Sequence, residues 1–428
     1  MIKTLFSYFK PHMRIFLADM FCAFTVAAVD LAFPLISRRA MYDMLPEKKY
    51  QAFFVVMAIV AVAYLLRAFA QYIMTYWGHT FGVRVEADIR RDLFYHFQEL
   101  DFEFYDKNRT GNLMNRLTGD LFEITELSHH GPEDVLISTL TIIGSLIFMF
   151  MMEWRLALVI AILLPIFILV IIRNRKDMQQ SSINVKKRMA DINAEIESRL
   201  SGIRTSKAFA NEEVDKDRFD DSNEVFKGAK KGYYQTMARF IASQEFFMGI
   251  MPVAVIAFGG YLIMEGKLNY IDLITFTLFV STFVTPIRKL SNFSEIFVSG
   301  TAGLKRFMEI MAVKPVVVEK EGAEDLVVTK GEVKLDNVSF SYNGVNEVLR
   351  GIDLDIKSGE NVAIVGHSGG GKTTLCQLIP RFYDVTEGSI TIDGTDLRDV
   401  TKSSIRQNVG IVQQDVFIFA DTILFYNN

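Results

Sequence analysis

Cysteine is scarce. The 428 residues include only two, Cys22 and Cys376. A disulfide framework and a cysteine-rich metal site are therefore excluded, and a reducing compartment suits the chain. An excess of charge of one sign is also missing. Lysine and arginine number 46 against 50 aspartates and glutamates, a formal net charge of −4. That balance argues against a nucleic-acid-binding surface, so no nucleic acid is expected as a partner. There is no internal repeat and no low-complexity segment. The first apolar stretch ends without the small-residue signature of a cleaved signal peptide. What the sequence does hold is apolar. Half its residues are hydrophobic, 36 are phenylalanine and only 22% are charged. That excludes a disordered chain and is unusual for a purely soluble one.

The apolar residues fall into six runs before residue 300. Residues 15–37 carry only Asp19 and Asp30 as charges, and 52–77 carry only Arg67. Runs 135–152, 156–172, 246–264 and 273–287 are uncharged, and the last extends back towards Tyr270. A bilayer core of ~30 Å needs about 20 apolar residues in a helix. One or two such runs would suit buried helices of a large soluble protein; six read as membrane spans.

The gaps between runs are uneven. Glu153, Trp154 and Arg155 alone separate runs three and four, so these form a tight hairpin. Gly266, Lys267 and Asn269 mark a short turn between runs five and six. By contrast, connections 78–134 and 173–245 are long, rich in helix formers and poor in proline. They predict spanning helices that continue well beyond the bilayer as two helical hairpins. Lys3, Lys10, Arg14, Lys186, Lys187, Arg188, Arg288 and Lys289 place these hairpins and both termini in the cytoplasm by the positive-inside rule. Arg38, Arg39, Lys48 and Lys49 form one dissenting loop. A multi-pass protein of the plasma (inner) membrane is expected. Asp19, Asp30 and Arg67 lie within spans, where charge is costly. They line a polar path, with an Asp30–Arg67 pair as one arrangement, or they are a structural ion pair or interfacial groups. The second reading is preferred, because Asp19 sits one turn into its run.

Beyond about Gly303 the character changes. Residues 313–331 are mixed and charged, as in a linker. From Glu332 on, short strands are predicted at 333–335, 338–342, 352–356, 361–365 and 389–392, with turn residues between them. Run 361–365 leads into Gly366, His367, Ser368, Gly369, Gly370, Gly371, Lys372, Thr373 and Thr374, and helix-forming residues follow. This is G-x-x-x-x-G-K-T in a strand–loop–helix setting. Glycines let successive N–H groups point inward at a phosphate with no side chain in the way. The following helix N-terminus favours an anion. Lys372 reaches the β and γ phosphates as a mobile charge, and the Thr373 hydroxyl can ligate Mg²⁺. A glycine-rich turn that binds nothing is the plain alternative; the flanking strand and helix weigh against it.

On these residues the chain resembles an ATP-binding cassette (ABC) transporter of the exporter type. It is similar to half-transporters in which one six-span membrane domain precedes one nucleotide-binding domain. The implied fold is multi-domain: a six-helix transmembrane domain of the type I exporter kind plus an incomplete α/β P-loop domain. The implied bounds are 1–305 for the membrane domain, 306–330 for the linker and 331–428 for the N-terminal part of the cassette. The resemblance makes Tyr342 the adenine-stacking residue, residues 366–374 the ATP cradle, and Thr373 with Gln414 the Mg²⁺ ligands. Gln414 also takes a catalytic role at the attacking water, with Gln413 set aside on register alone. Phe104, Tyr105, Asp106, Arg109, Thr110, Gly111, Arg116 and Leu117 resemble the first intracellular loop of such proteins. Ile203, Arg204, Lys207, Ala208, Phe209 and Glu212 resemble the second. In the family these loops carry short transverse helices that press on nucleotide-binding domains.

The resemblance implies ATP-driven export by alternating access, with ATP and Mg²⁺ as cofactors and a second half-transporter, identical or not, as partner. Cargo of the lipid, drug or peptide class fits the architecture. A complete cassette continues with a signature Ser-Gly-Gly-Gln segment, a second acidic strand with its glutamate, and a switch histidine. None occurs by residue 428, so a truncated chain is expected that does not by itself hydrolyse ATP. An ATP-binding regulatory subunit without turnover is the other reading.

Overall fold

The computed structural model describes residues 1–412. The chain divides into two compact units. One is Met1–Asp88 with Phe122–Leu304; the other is Ile89–Leu121 with the chain from Lys305 onward.

The helices in chain order are α1 (Ile2–Phe9), α2 (Met13–Asp43), α3 (Tyr50–Glu99), α4 (Phe102–Lys107), α5 (Thr110–Leu117), α6 (Gly119–Met152), α7 (Trp154–Ser201), α8 (Ile203–Ala208), α9 (Glu212–Met264) and α10 (Tyr270–Met311). Among the described residues, six helices are long and apolar enough to cross a membrane. They answer to the six apolar runs. Helices α3, α7 and α9 hold 50, 48 and 53 residues. At 1.5 Å per residue each is roughly 70–80 Å long, more than twice a bilayer core. The surplus is the helical extension expected of the long connections.

In the first unit the joints are short. Glu153 alone separates α6 from α7, and its carboxylate accepts from the Arg155 N–H as an N-cap. Gly266, at φ +68°, reverses the chain after α9. The N–H groups of Gly266 and Lys267 donate to the carbonyls of Ile263 and Leu262, and Asn269 caps α10 through the Ile271 N–H.

The core of this unit is a helical stripe. Ile160, Leu164, Phe167 and Ile171 on α7 recur at helical spacing and meet Phe240, Met251, Val255 and Leu262 of α9 and Phe276, Phe279 and Phe283 of α10. Phe167 stacks on Phe247 with ring centroids 5.0 Å apart. A smaller cluster joins Ala23 and Val26 of α2 to Ala70 and Met74 of α3 and Ile137 of α6. Outward, α3 presents Phe54, Leu65, Leu66, Phe69 and Tyr72. A row of large exposed apolar side chains on one helix suits lipid as its solvent.

The second unit contains strands β1 (Val333–Phe340), β2 (Leu349–Ile356), β3 (Glu387–Ile392) and β4 (Thr395–Asp396), with helices α11 (Lys372–Leu378) and α12 (Lys402–Asn408). Among the described residues the sheet order is β2-β1-β3-β4, antiparallel throughout. The two strands expected at 333–335 and 338–342 are one strand with a bulge, its pairing to β2 shifting between Leu335 and Val338. Asn337 stands at φ +46° there. Opposite, Gly388 is at φ +82°, where a Cβ would come 2.3 Å from the Asn337 carbonyl oxygen. Only glycine fits.

The strand expected at 361–365 is not formed. Among the described residues no ladder pairs with that segment, and Val365 is 88% exposed. Among the described residues nothing takes its N–H and C=O groups, and a strand needs such a partner. Leu335, Val338, Phe340, Leu375, Leu378, Ile390 and Ile392 make the core of the unit. Two polar side chains tie its loops. Buried Arg381 binds Asp384 at 2.7 Å and donates to the carbonyls of Leu397 and Val318, both at 3.1 Å. Asp393 accepts from the N–H groups of Thr329, Lys330, Gly331 and Glu332. Those four bonds hold its carboxyl well below the usual carboxylate range.

Candidate phosphate site and docking helix

The glycine-rich segment forms a tight, solvent-open loop at the N-terminus of α11. Gly369 and Gly371 adopt φ +79° and +80°, left-handed values that aim consecutive N–H groups to one side. At Gly371 a Cβ would lie 2.7 Å from Leu349 Cδ2. The dihedral therefore favours glycine here, and any side chain would also make the Leu349 methyl give way. The Gly370 N–H donates to the His367 carbonyl at 3.2 Å. The Lys372 ammonium folds back across the loop and donates to the carbonyls of Gly366, at 3.0 Å, and His367, at 2.7 Å. It therefore stands over the loop mouth as a point charge. Gly366, His367 and Ser368 are exposed, as is Thr373; Thr374 is buried.

Tyr342 follows β1 and is brought to the same place. Its hydroxyl lies 3.1 Å from Thr374 Oγ1 and 3.0 Å from Gln377 Oε1. Its ring meets Phe340 and Tyr383 edge to face, with centroids 4.8 and 5.2 Å away, and the residue stays 37% exposed. Part of the phenol thus remains open to a flat ligand beside the loop. Gln414 and its neighbour Gln413 lie outside the described residues.

Helix α4 holds Phe104, Tyr105 and Asp106 of the segment likened above to a first intracellular loop. Phe102 stacks on Phe382 with centroids 4.0 Å apart and 20° between planes. The Tyr383 hydroxyl donates to Asp106. Burial and that bond push the Tyr383 phenol above its ordinary range. Asp101 accepts from the N–H groups of Val316 and Val317, the latter at 2.9 Å. Asp120 is held by Arg306 at 2.8 Å and Arg116 at 2.7 Å. Phe102 and Asp106 are thus packed on the residues that follow the phosphate-loop helix, while Asp101 and Asp120 bind Val316, Val317 and Arg306. Phe382 and Tyr383 were missed because nothing local marks them; their partners lie far away in sequence.

The family model for the ABC transporter transmembrane region matches residues 16–287, and that for the ABC transporter proper matches 349–427. This chain belongs to the ABC transporter family. It is 38% identical over 99% of its length to the uncharacterized ABC transporter ATP-binding protein YwjA of Bacillus subtilis (strain 168), of which it covers 74%. It is 30% identical to the ATP-dependent lipid A-core flippase of Syntrophus aciditrophicus (strain SB), with 98% of this chain and 70% of that protein covered. A solved bacterial Atm1-family ABC exporter with ATP bound shares the fold at a TM-score of 0.76 and 21% identity, over 96% of this chain and 73% of that one.

The membrane unit of this ABC transporter contains a cavity of about 280 Å³ lined by Asp30, Tyr64, Arg67, Gln71, Thr141 and Lys289, among others. Arg67 Nε and Nη2 reach the two Asp30 oxygens at 2.7 and 2.9 Å, a bidentate pair on its wall. Ion pair and cavity lining, set out above as alternatives, coincide at these two residues. Asp19 is fully buried, and among the described residues its oxygens have no hydrogen-bond partner.

At the far end of α7, α8 carries the residues likened to a second intracellular loop. Leu200, Ile203 and Phe209 are exposed there, while Arg199 ties Glu195 and Asp215 together beneath them.

Proposed function

We propose that this chain is one half of a dimeric exporter in which ATP binding at residues 366–374 drives passage of cargo through the membrane unit. Residues 1–305 serve as the membrane domain, 306–330 as the linker and 331–428 as nucleotide-binding sequence. The observation that carries the reading is the loop at Gly369–Gly371 with Lys372 over its mouth, in the same unit as α4 docked on Phe382 and Tyr383. Lys372 takes the β and γ phosphates. Thr373 and Gln414 take Mg²⁺, and Gln414 orients water. Tyr342 faces the adenine. Bound ATP shifts an open–closed equilibrium by its differential affinity for the two states, and α4 passes the change to α3 and α6. The exposed apolar tip around α8 is offered to a second chain. The membrane is the plasma (inner) membrane, with both termini cytoplasmic. Cargo is amphipathic, of the lipid, drug or peptide class; a charged pair on a cavity wall inside an apolar bundle supports a substrate with a polar part.

The test is labelling of membranes holding the protein with a photoreactive ATP analogue and Mg²⁺. Lys372→Ala is expected to lower labelling at least about tenfold, as loss of a charge-assisted phosphate contact requires, and to abolish ATP-driven efflux. Undiminished labelling in that variant would reject the assigned site.

A further inference from the structure

Three of the six histidines stand together. His79 lies on α3, and His129 and His130 are consecutive on α6. Ring centroids are 4.6 Å apart for His79–His129, 5.4 Å for His79–His130 and 4.2 Å for His129–His130. One nitrogen from each lies within 4.8 Å of the other two.

The protonation of two rings follows from their partners. His79 Nδ1 is 2.7 Å from the Thr75 carbonyl oxygen, and His129 Nδ1 is 2.8 Å from that of Thr125. A carbonyl oxygen only accepts, so each Nδ1 carries the proton and each neutral ring presents a lone pair at Nε2. Metal-ligating histidines are oriented in this way, one nitrogen donating to a backbone carbonyl while the other binds. His129 is 1% exposed, and among the described residues its Nε2 is buried without a hydrogen-bond partner. A buried acceptor in that state calls for a ligand. Room for the ring is made by Gly82 of α3, where a Cβ would come 3.0 Å from His129 Nδ1.

We propose that His79, His129 and His130 bind one divalent first-row transition-metal ion, with Zn²⁺ as the reference case. Three imidazole nitrogens suit such an ion, whereas Mg²⁺ and Ca²⁺ take oxygen ligands. A tetrahedral ion with nitrogens at about 2.0–2.1 Å holds them roughly 3.3 Å apart. Closing from 4.8 Å needs a movement of about 1.5 Å or less, within side-chain adjustment. The neighbouring Glu133 and Asp134 form a second cluster with His130, but Lys289 neutralises them at 3.5 and 2.6 Å. The histidine triad is the better site. His79 is exposed beside a groove of about 670 Å³ lined by Tyr72, Thr75 and Tyr76, which gives an ion a way in. The triad lies where runs 52–77 and 135–152 end, so the ion would clamp α3 to α6 at the edge of the apolar layer.

The reading is independent of nucleotide binding and is tested without it. The full chain, purified by a tag free of histidine and stripped with chelator, is titrated with Co²⁺ and then Zn²⁺. One Co²⁺ per chain with the visible absorption of a tetrahedral site is expected, displaced by Zn²⁺, with a rise in melting temperature. His79→Ala and His130→Ala should each weaken binding at least about tenfold and remove that rise, while His12→Gln changes neither. His79 is exposed, so its removal leaves the packing of α3 intact. Binding of less than a tenth of an ion per chain, or unchanged affinity in both alanine variants, would overturn the site.

Discussion

Phe102 and Phe382 lie face to face, 4.0 Å between centroids, although 280 positions separate them in the chain. Phe102 opens α4, a six-residue helix, and Phe382 follows the helix that carries Lys372. Around this stack, Asp101 receives two backbone N–H groups and Asp106 receives the Tyr383 hydroxyl. Tyr383 also borders Tyr342 at 5.2 Å. One aromatic cluster therefore touches both the docking helix and the residue beside the phosphate loop.

Removing the stack should loosen docking without harming the loop. Phe102→Ala and Phe382→Ala are each expected to raise hydrogen exchange across 101–107. A double-mutant cycle should give a coupling of about 0.5–1.5 kcal/mol, the range for an aromatic pair beyond its buried area. Nucleotide labelling in Phe102→Ala should stay within about twofold of wild type, because no contact to residues 366–374 is lost. Equal exchange in variant and wild type would show that α4 is held by Asp101 and Asp106 alone.

Asp393 gives a pH dependence with a definite sign. Its folded-state carboxyl is depressed by four backbone N–H donors, so its stabilising effect is complete above the unfolded value of about 3.9. That effect is lost as pH falls below about 3.9 towards the folded value. Protection of the amides of 329–332, corrected for intrinsic exchange rates, should hold from pH 7 to 5 and fall at pH 3. Asp393→Asn should show weak protection at every pH. A variant as protected as wild type at pH 7 would remove Asp393 as the anchor.

The runs of apolar residues were legible because helix length and bilayer thickness are linked by one rise per residue. Six runs and six helices agree, and Glu153 and Gly266 joined them as their types suggested. The loop at Gly369 and Gly371 was legible because the phosphate-binding pattern writes its backbone angles into glycine positions. Residues 361–365 misled, since an apolar run specifies a strand only where a neighbour supplies hydrogen bonds. Phe382, Tyr383 and the triad of His79, His129 and His130 were hidden for one reason. Each depends on partners brought close by the fold, and a single sequence without covariation carries no sign of such pairs.

Gly371→Ala tests the loop from its backbone. The left-handed dihedral costs an L-residue roughly 1–2 kcal/mol, and the added methyl would stand 2.7 Å from Leu349 Cδ2. Affinity for ATP should fall about tenfold or more, measured by equilibrium binding of a fluorescent analogue. The β1–β2 pairing, followed by exchange at Val338 and Leu354, should change little, because Leu349 sits at the end of its strand. Undisturbed affinity would mean that the loop tolerates a side chain there and that its N–H groups do not act together.

The Asp30–Arg67 pair separates a structural brace from a cargo contact. The two side chains are 23% and 31% exposed, too buried for a free surface pair and too open for the full 3–5 kcal/mol of a buried one. Asp30→Asn and Arg67→Met should each cost about 1–3 kcal/mol in unfolding free energy, and the double variant should lose less than their sum. A single buried charge without its partner is worse than neither, which is why the cycle must close with favourable coupling. Zero coupling, together with altered efflux of a charged cargo but not of a neutral one, would assign the pair to the transport path instead.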